Sequence, residues 1–197
     1  MIDLFTEYGS NLLPCDGEVN YYGPVLSNPD HHLKVLLDEI PWRQDQVFVH
    51  GALRTTKRKA AWYGDQSFPY TYSGVTRHAL SWPPGLLELK RIVEDRLGEV
   101  FNSCLLNLYN DGSEGMSWHS DDEDSLVKGG AIASLSLGAE RKFSLKHKQT
   151  KETVSIVLQH GSLLVMKRET QTHWLHSIPV STLVHKPRIN LTFRKML

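Results

Sequence analysis

Arg188-Ile-Asn-Leu-Thr-Phe-Arg194 alternates strictly: Ile189, Leu191 and Phe193 point one way, and Arg188, Asn190, Thr192 and Arg194 the other. Period 2 predicts a strand with one apolar face. Taken alone, such a segment reads as an edge strand whose polar side meets water. The two arginines sharing that side are its unusual feature.

Outward from this stretch the chain keeps the same character. From Ser103 on, short strands are expected at 103–109, 131–137, 141–145, 153–158, 162–167 and 172–177, separated by turn formers such as Asn110-Asp-Gly112. Within the first, Leu105, Asn107 and Tyr109 share one face and Cys104, Leu106 and Leu108 the other. Further upstream, Ser27-Asn-Pro29 starts a helix with Leu33, Leu36, Leu37 and Ile40 as its stripe, ended by Pro41. A second helix runs from Pro83-Pro84-Gly85 to Gly98 over Leu86, Leu89, Val93 and Leu97. Helices followed by a run of strands predict an α+β chain, mainly β, with a double-stranded β-helix (jelly-roll) core and N-terminal supporting helices.

Residues 1–26 show no sustained period and read as a partly ordered arm. Gln46 to Gly51 reads as a short strand entering a turn, with Arg54, Lys57, Arg58 and Lys59 close behind, either a wet loop or a hairpin that grips nucleic acid. Trp62, Tyr63, Tyr70 and Tyr72 follow near turn formers, where aromatics fill a core or stack on bases. The expected division is 1–45 for the arm and first helix, 46–102 for nucleotide recognition and the second helix, and 103–197 for the jelly-roll core, with 46–197 as one catalytic domain.

The chain has 197 residues, 40% of them hydrophobic and 22% charged, the composition of an ordinary globular protein. Two cysteines, Cys15 and Cys104, suggest neither a disulfide framework nor a thiolate metal site. No signal peptide or membrane-spanning run is evident, so the expected compartment is cytoplasmic. Residues 1–50 hold eight acids against Lys34 and Arg43, leaving twenty bases against fourteen acids in the remainder. That asymmetry points mildly to a polyanionic partner.

The chemistry rests on residues that these strands bring together. His119-Ser-Asp121 puts an imidazole and a carboxylate on one face of an extended segment, and His176 can return on another strand. In the segment 172–177, period 2 puts Trp174 and His176 on one face and His173 on the other. Two histidines and a carboxylate with open positions left over form the facial triad of non-heme Fe(II) oxygenases. A chelating 2-oxo acid beside such an ion needs a fixed cation for its far carboxylate, and an arginine fork supplies paired hydrogen bonds. Arg188 and Arg194 cannot both hold one carboxylate.

Asn107-Leu-Tyr109, Trp118-His-Ser-Asp-Asp-Glu123, Ile132-Ala-Ser-Leu-Ser-Leu-Gly-Ala139, His160-Gly-Ser-Leu-Leu-Val-Met166, Thr172-His-Trp-Leu-His-Ser177 and Pro187-Arg-Ile-Asn-Leu-Thr-Phe-Arg194 together resemble the AlkB family of Fe(II)/2-oxoglutarate-dependent nucleic-acid demethylases. The resemblance covers roughly residue 46 to the C-terminus and is nearest the DNA-repair branch acting on duplex DNA and its bacterial relatives. It implies iron held by His119, Asp121 and His176, with Arg194 also in the catalytic set. It implies 2-oxoglutarate held by Asn107, Tyr109 and Arg188, with Thr192 and Arg194 completing that pocket. For the substrate it implies a damaged-base pocket lined by Tyr70 and Tyr72, with Asp122 and Glu123 on the polar edge of the base and Arg58 on phosphate. His50 stands where duplex-acting relatives carry a hydrophobic wedge, often Phe, and Lys57 where they carry proline, which leaves strand preference open.

The function so implied is oxidative demethylation of N-alkylated bases such as 1-methyladenine and 3-methylcytosine in DNA. It consumes 2-oxoglutarate and O2 and releases formaldehyde, succinate and CO2. The methyl lies on a Watson–Crick edge, so the base must be extruded or the strand already single. The expected partner is alkylated DNA, single- or double-stranded, with no membrane and a monomeric enzyme. The alternatives are the same core demethylating RNA or hydroxylating a protein, and a nucleic-acid-binding module without catalysis.

Overall fold

The computed structural model describes residues 8–49, 52–72 and 75–197, without the side chains of 45–49, 52–53, 70–72 and 75. Thirteen strands are described, together with two helices and a short helical turn. The strands are β1 (Glu18–Pro24), β2 (Arg43–Val49), β3 (Ala52–Gly64), β4 (Pro69–Tyr72), β5 (Val75–His78), β6 (Ser103–Tyr109), β7 (Met116–His119), β8 (Ile132–Gly138), β9 (Arg141–His147), β10 (Thr153–Leu158), β11 (Ser162–Lys167), β12 (Trp174–Ile178) and β13 (Arg188–Arg194). The helices are α1 (Pro29–Glu39) and α2 (Pro84–Leu97), and α3 (Thr170–His173) is the turn. Seven strands form one sheet in the order β1-β11-β8-β13-β6-β3-β2, four form a second in the order β10-β9-β12-β7, and β4-β5 is a separate hairpin. This is the mainly β jelly-roll core with N-terminal helical supports.

The opening heptapeptide sits at the middle of the large sheet rather than its edge. β13 pairs antiparallel with β6 on one side and β8 on the other, with Asn190 opposite both Asn107 and Ser136. Its apolar residues Ile189, Leu191 and Phe193 are fully buried in the core that α1 and α2 cover. Each such side chain stabilises the fold by about 1.5–3 kcal/mol. Its polar face is buried as well, so those side chains line an interior space between the sheets instead of meeting solvent.

The helices form where the stripes predict. Asn28 caps α1 by accepting from the His31 amide at 3.4 Å, Pro29 occupies the first turn, and Pro41 follows the end. α2 begins on Pro84 and ends at Gly98, whose φ of 65° takes the left-handed turn that closes the helix. Leu36 of α1 and Leu86, Leu89 and Val93 of α2 pack against the outer face of the large sheet. A second core lies between the sheets, built from Val19, Tyr21, Phe143, Leu145, Leu164 and Trp174 among others.

Several expectations are corrected. The supposed arm contains β1, which pairs with β11 along the edge of the large sheet and buries Val19 and Tyr21. A register shift between Tyr21 and Gly23 interrupts its alternation, which hides the strand in the sequence. Of the two readings of Arg54 to Lys59, the wet loop fails: these residues lie inside the 13-residue β3, which pairs antiparallel with β2 as a hairpin does. Of the two fates expected for the aromatics, Trp62 and Tyr63 take the core-filling one, and both are buried. Thr172 and His173 belong to α3, and the strand begins only at Trp174. Among the described residues no helix is long and apolar enough to cross a membrane.

Candidate metal and cosubstrate site

Pairing of β7 with β12 sets His119 directly opposite His176, and their ring centroids lie 4.2 Å apart. The chain leaves β7 after His119 and brings Asp121 back beside it, with Oδ1 3.7 Å from His119 Nε2. One ligand atom from each of the three residues falls within a 4.8 Å cluster. Neighbouring groups orient each donor. His119 Nδ1 is 2.8 Å from the Ser117 carbonyl, which can only accept, so the proton is on Nδ1 and the Nε2 lone pair is left for a metal. Arg194 Nη2 holds Asp121 Oδ2 at 3.1 Å, leaving Oδ1 turned to the histidines, and the Asp121 amide donates to Gln171 Oε1 at 2.9 Å.

The electrostatics suit a cation. Burial raises the Asp121 carboxyl, but Arg194, His176 and His119 outweigh it and hold the group below its ordinary value, as a carboxylate. Burial drives His176 down to about 4, against Asp121 and with help from His119 and Arg194. At neutral pH its ring is therefore an uncharged donor, the form a metal requires.

Beside this cluster a cavity of about 400 Å³ opens between the sheets, and the polar face of β13 forms one wall. Arg188 is 1% exposed there and stands in register with Tyr109. Its Nη2 donates to Ser136 Oγ at 2.9 Å and Asn190 Oδ1 at 2.8 Å, and its guanidinium carbon lies 5.4 Å from the Tyr109 ring centroid. Among the described residues Nε and Nη1 make no hydrogen bond of normal geometry, nor does the buried Oδ1 of Asn107 nearby, and the Tyr109 hydroxyl is the one side chain that bonds weakly toward the fork. Burial pushes Arg188 down to about 10, with Tyr109 acting against that shift and Arg141 with it. A buried cation with two nitrogens left short of acceptors is costly unless an anion meets it. The residues present therefore fit a dicarboxylate at this wall and a divalent cation at the histidines.

The remaining expected residues are placed less uniformly. Thr192 lines the cavity and accepts from Asn190 Nδ2 at 2.8 Å. Arg194 is engaged with acids, holding Glu123 Oε1 at 3.1 Å as well as Asp121, so Glu123 faces an arginine as well as the cavity. Asp122 is exposed on the rim. Arg58, expected on phosphate, is instead only 8% exposed, with Nη1 3.3 Å from Met116 Sδ inside the cavity lining. The cause is that β3 pairs along β6 and turns this residue inward. Tyr70 and Tyr72 lie two apart on β4, opposite Arg77 and Val75. His50 lies outside the described residues.

Ser136, Asn190 and Gln171 were missed as orienting groups. Asn190 was legible on the polar face of the opening strand, and Ser136 on the alternating face of β8; Gln171 carried no signal. A second cluster, Cys15, Asp16 and His147, also lies within 4.8 Å. His147 Nδ1 accepts the Thr150 amide at 3.1 Å, which puts its proton on Nε2, facing Asp16 Oδ2 at 3.3 Å. That nitrogen has no lone pair to offer an ion.

Comparison with known proteins agrees with this geometry. The model of the 2OG-Fe(II) oxygenase superfamily matches residues 25–194. The chain is similar to a mouse protein named DNA oxidative demethylase ALKBH2, 43% identical over 77% of this chain and 67% of that one. The human protein of the same name is 42% identical over 77% of this chain and 61% of its own. A bovine protein named alpha-ketoglutarate-dependent dioxygenase alkB homolog 3 is 39% identical over 94% of this chain and 66% of its own. The chain thus spans about two thirds or less of the length of these relatives. A solved structure of OsALKBH1 superposes with a TM-score of 0.63 at 15% identity, covering 93% of this chain and 98% of that one, a likeness of fold.

Proposed function

Because the chain belongs to the 2OG-Fe(II) oxygenase superfamily and to its AlkB family, we propose that it is an Fe(II)- and 2-oxoglutarate-dependent dioxygenase that demethylates N-alkylated bases in DNA. The observation that carries the oxygenase chemistry is that Arg188 Nε and Nη1 lack acceptors in the same cavity as the His119, Asp121 and His176 cluster. The DNA substrate rests on the relatives named DNA oxidative demethylase.

His119, Asp121 and His176 hold the metal in this reading, and Arg188, with Asn107 and Tyr109, holds the cosubstrate by its far carboxylate. Bound iron and 2-oxoglutarate supply an oxidation by O2 that hydroxylates the N-methyl carbon, so that the base sheds formaldehyde while 2-oxoglutarate leaves as succinate and CO2. The protein's own work is positional. Arg194 fixes the unused oxygen of Asp121, Ser136 and Asn190 fix the Arg188 fork, and the apolar cavity wall of Leu105, Phe143 and Ile178 keeps water from the reacting carbon. Asp122 on the rim favours the positive charge of 1-methyladenine or 3-methylcytosine. Tyr70, Tyr72 and His50 contact the extruded base or the stack it leaves, and Arg58 and Glu123 face it from the cavity wall.

Cys15 and Cys104 are both free, which supports work in the reducing cytoplasm. The test is formaldehyde release from oligonucleotides bearing one 3-methylcytosine, single- and double-stranded, with Fe(II) and 2-oxoglutarate and a His119→Ala control. Release that needs both additions and vanishes in the control is expected. Turnover of 2-oxoglutarate without formaldehyde would refute the substrate, and methylated RNA or peptide would be assayed in its place.

A further inference from the structure

β7 is the edge strand of the four-stranded sheet, and its alternation splits two adjacent residues between different worlds. His119 turns into the cavity to face His176, whereas Trp118 lies 40% exposed with Lys146 Nζ 4.3 Å from its ring centroid. Lys146 on β9 is in register with Leu175 on β12, and Leu175 is the neighbour of His176 that alternation turns outward. The outer corner of the sheet beside the metal cluster therefore runs Lys146, Leu175, Trp118.

The rest of that face shares one sign. Lys142 stands two residues from Ser144 and four from Lys146 on the same side of β9, and is exposed. Opposite these, β10 offers Thr153, Ser155 and Val157. None of the four strands, Met116–His119, Arg141–His147, Thr153–Leu158 and Trp174–Ile178, contains an Asp or a Glu. An exposed indole strapped by a lysine, on strands whose own charged side chains are all basic, matches a polyanion that also carries flat rings. Trp118 also borders the cavity that would receive a flipped base.

We propose that Trp118 and Lys146 form a subsite for the nucleotide next to the damaged one. This rests on the nucleic-acid substrate proposed above and adds where the undamaged strand lies. The indole is the stacking platform for the neighbouring base. Lys146 swings from the ring to the intervening phosphate, and Lys142 meets the phosphate beyond. The subsite selects a strand over a lone nucleotide, because a mononucleotide fills the cavity and leaves this corner bare.

The experiment measures binding of fluorescein-labelled pentathymidylate by anisotropy to the protein loaded with Mn(II) and 2-oxoglutarate, across a salt series. Trp118→Ala is expected to weaken binding about tenfold, the order that one stacked base supplies, and Trp118→Phe to recover most of it. Lys146→Gln is expected to lower the salt slope by about 0.7, one single-strand phosphate contact. Each variant's thermal midpoint is recorded as a check on folding. Unchanged affinity in Trp118→Ala, or an unchanged slope in Lys146→Gln, in a variant that keeps the wild-type midpoint would overturn the subsite. Formaldehyde release from a methylated pentamer is measured in parallel. Wild-type binding without release would sink the demethylase reading alone, and full release with Trp118→Ala binding as wild type would sink the subsite alone.

Discussion

Arg194 Nη2 and Asp121 Oδ2 lie 3.1 Å apart with both side chains sealed from solvent, at 5% and 7% exposure. The pair joins the central strand of one sheet to the segment that follows the edge strand of the other. Removing one partner strands the other charge in the interior. Arg194→Met is therefore expected to cost roughly 3–5 kcal/mol, lowering the midpoint by on the order of 10 °C for a chain of this size. Added Mn(II) should return part of the loss, because the metal takes over the charge on Asp121. Thermal unfolding with and without metal checks both statements; a midpoint within 2 °C of wild type, about the shift that a 1 kcal/mol change makes, would contradict the first.

Arg188 presents the opposite case, a buried cation awaiting its anion. Arg188→Met removes a charge whose burial the free protein does not fully offset, so the free protein should be as stable as wild type or more so. Its gain in midpoint on adding 2-oxoglutarate should disappear, and its KM for 2-oxoglutarate should rise about a hundredfold, the roughly 3 kcal/mol of a charge-assisted bond. Differential scanning fluorimetry and initial rates separate the two effects. A large loss of stability in the free variant would refute this account of the two nitrogens short of acceptors.

Metal removal follows from the same logic. A ligand at a hundred times its Kd stabilises by about 2.7 kcal/mol, so saturating Mn(II) should raise the midpoint by several degrees and chelation should reverse it. His176→Ala should unfold at the same temperature with and without metal. A retained metal shift in that variant would place the ion elsewhere.

Gly138 has φ of +90° and is paired with Arg188 across the sheet. A Cβ there would sit 2.3 Å from the Pro187 carbonyl oxygen. Gly138→Ala must displace the residue preceding Arg188, so it should lower stability and raise the KM for 2-oxoglutarate together. Phe193→Ala, on the other face of β13, should cost about 3–5 kcal/mol with far less effect on KM. The comparison of the two variants is the measurement.

What the sequence made legible was whatever depended on local period. The strict alternation of Arg188 to Arg194 identified the strand and its two faces, and spacing placed His119 with Asp121. It could not disclose that β13 is central, because pairing with β6 and β8 is non-local. The engagement of Arg194 with Asp121 and Glu123, and the burial of Arg58, stayed hidden for the same reason. β1 was lost to the bulge at Tyr21 and Gly23, which breaks period 2 where the strand is shortest of apolar signal. Thr172 and His173 were misread because four helical residues and two strand residues are indistinguishable by pattern.

The placing of β13 between β8 and β6 also governs the order in which this protein can come into being. Both neighbours precede it on the ribosome, and until it arrives each exposes an open edge of amides and carbonyls beside a half-formed apolar layer. The same insertion that completes the sheet delivers Arg188 and Arg194 to the cavity. A chain stopped ahead of Arg188 therefore keeps both edges open and lacks the two arginines of the cavity, so a nonsense codon there yields an aggregation-prone fragment instead of a weaker enzyme.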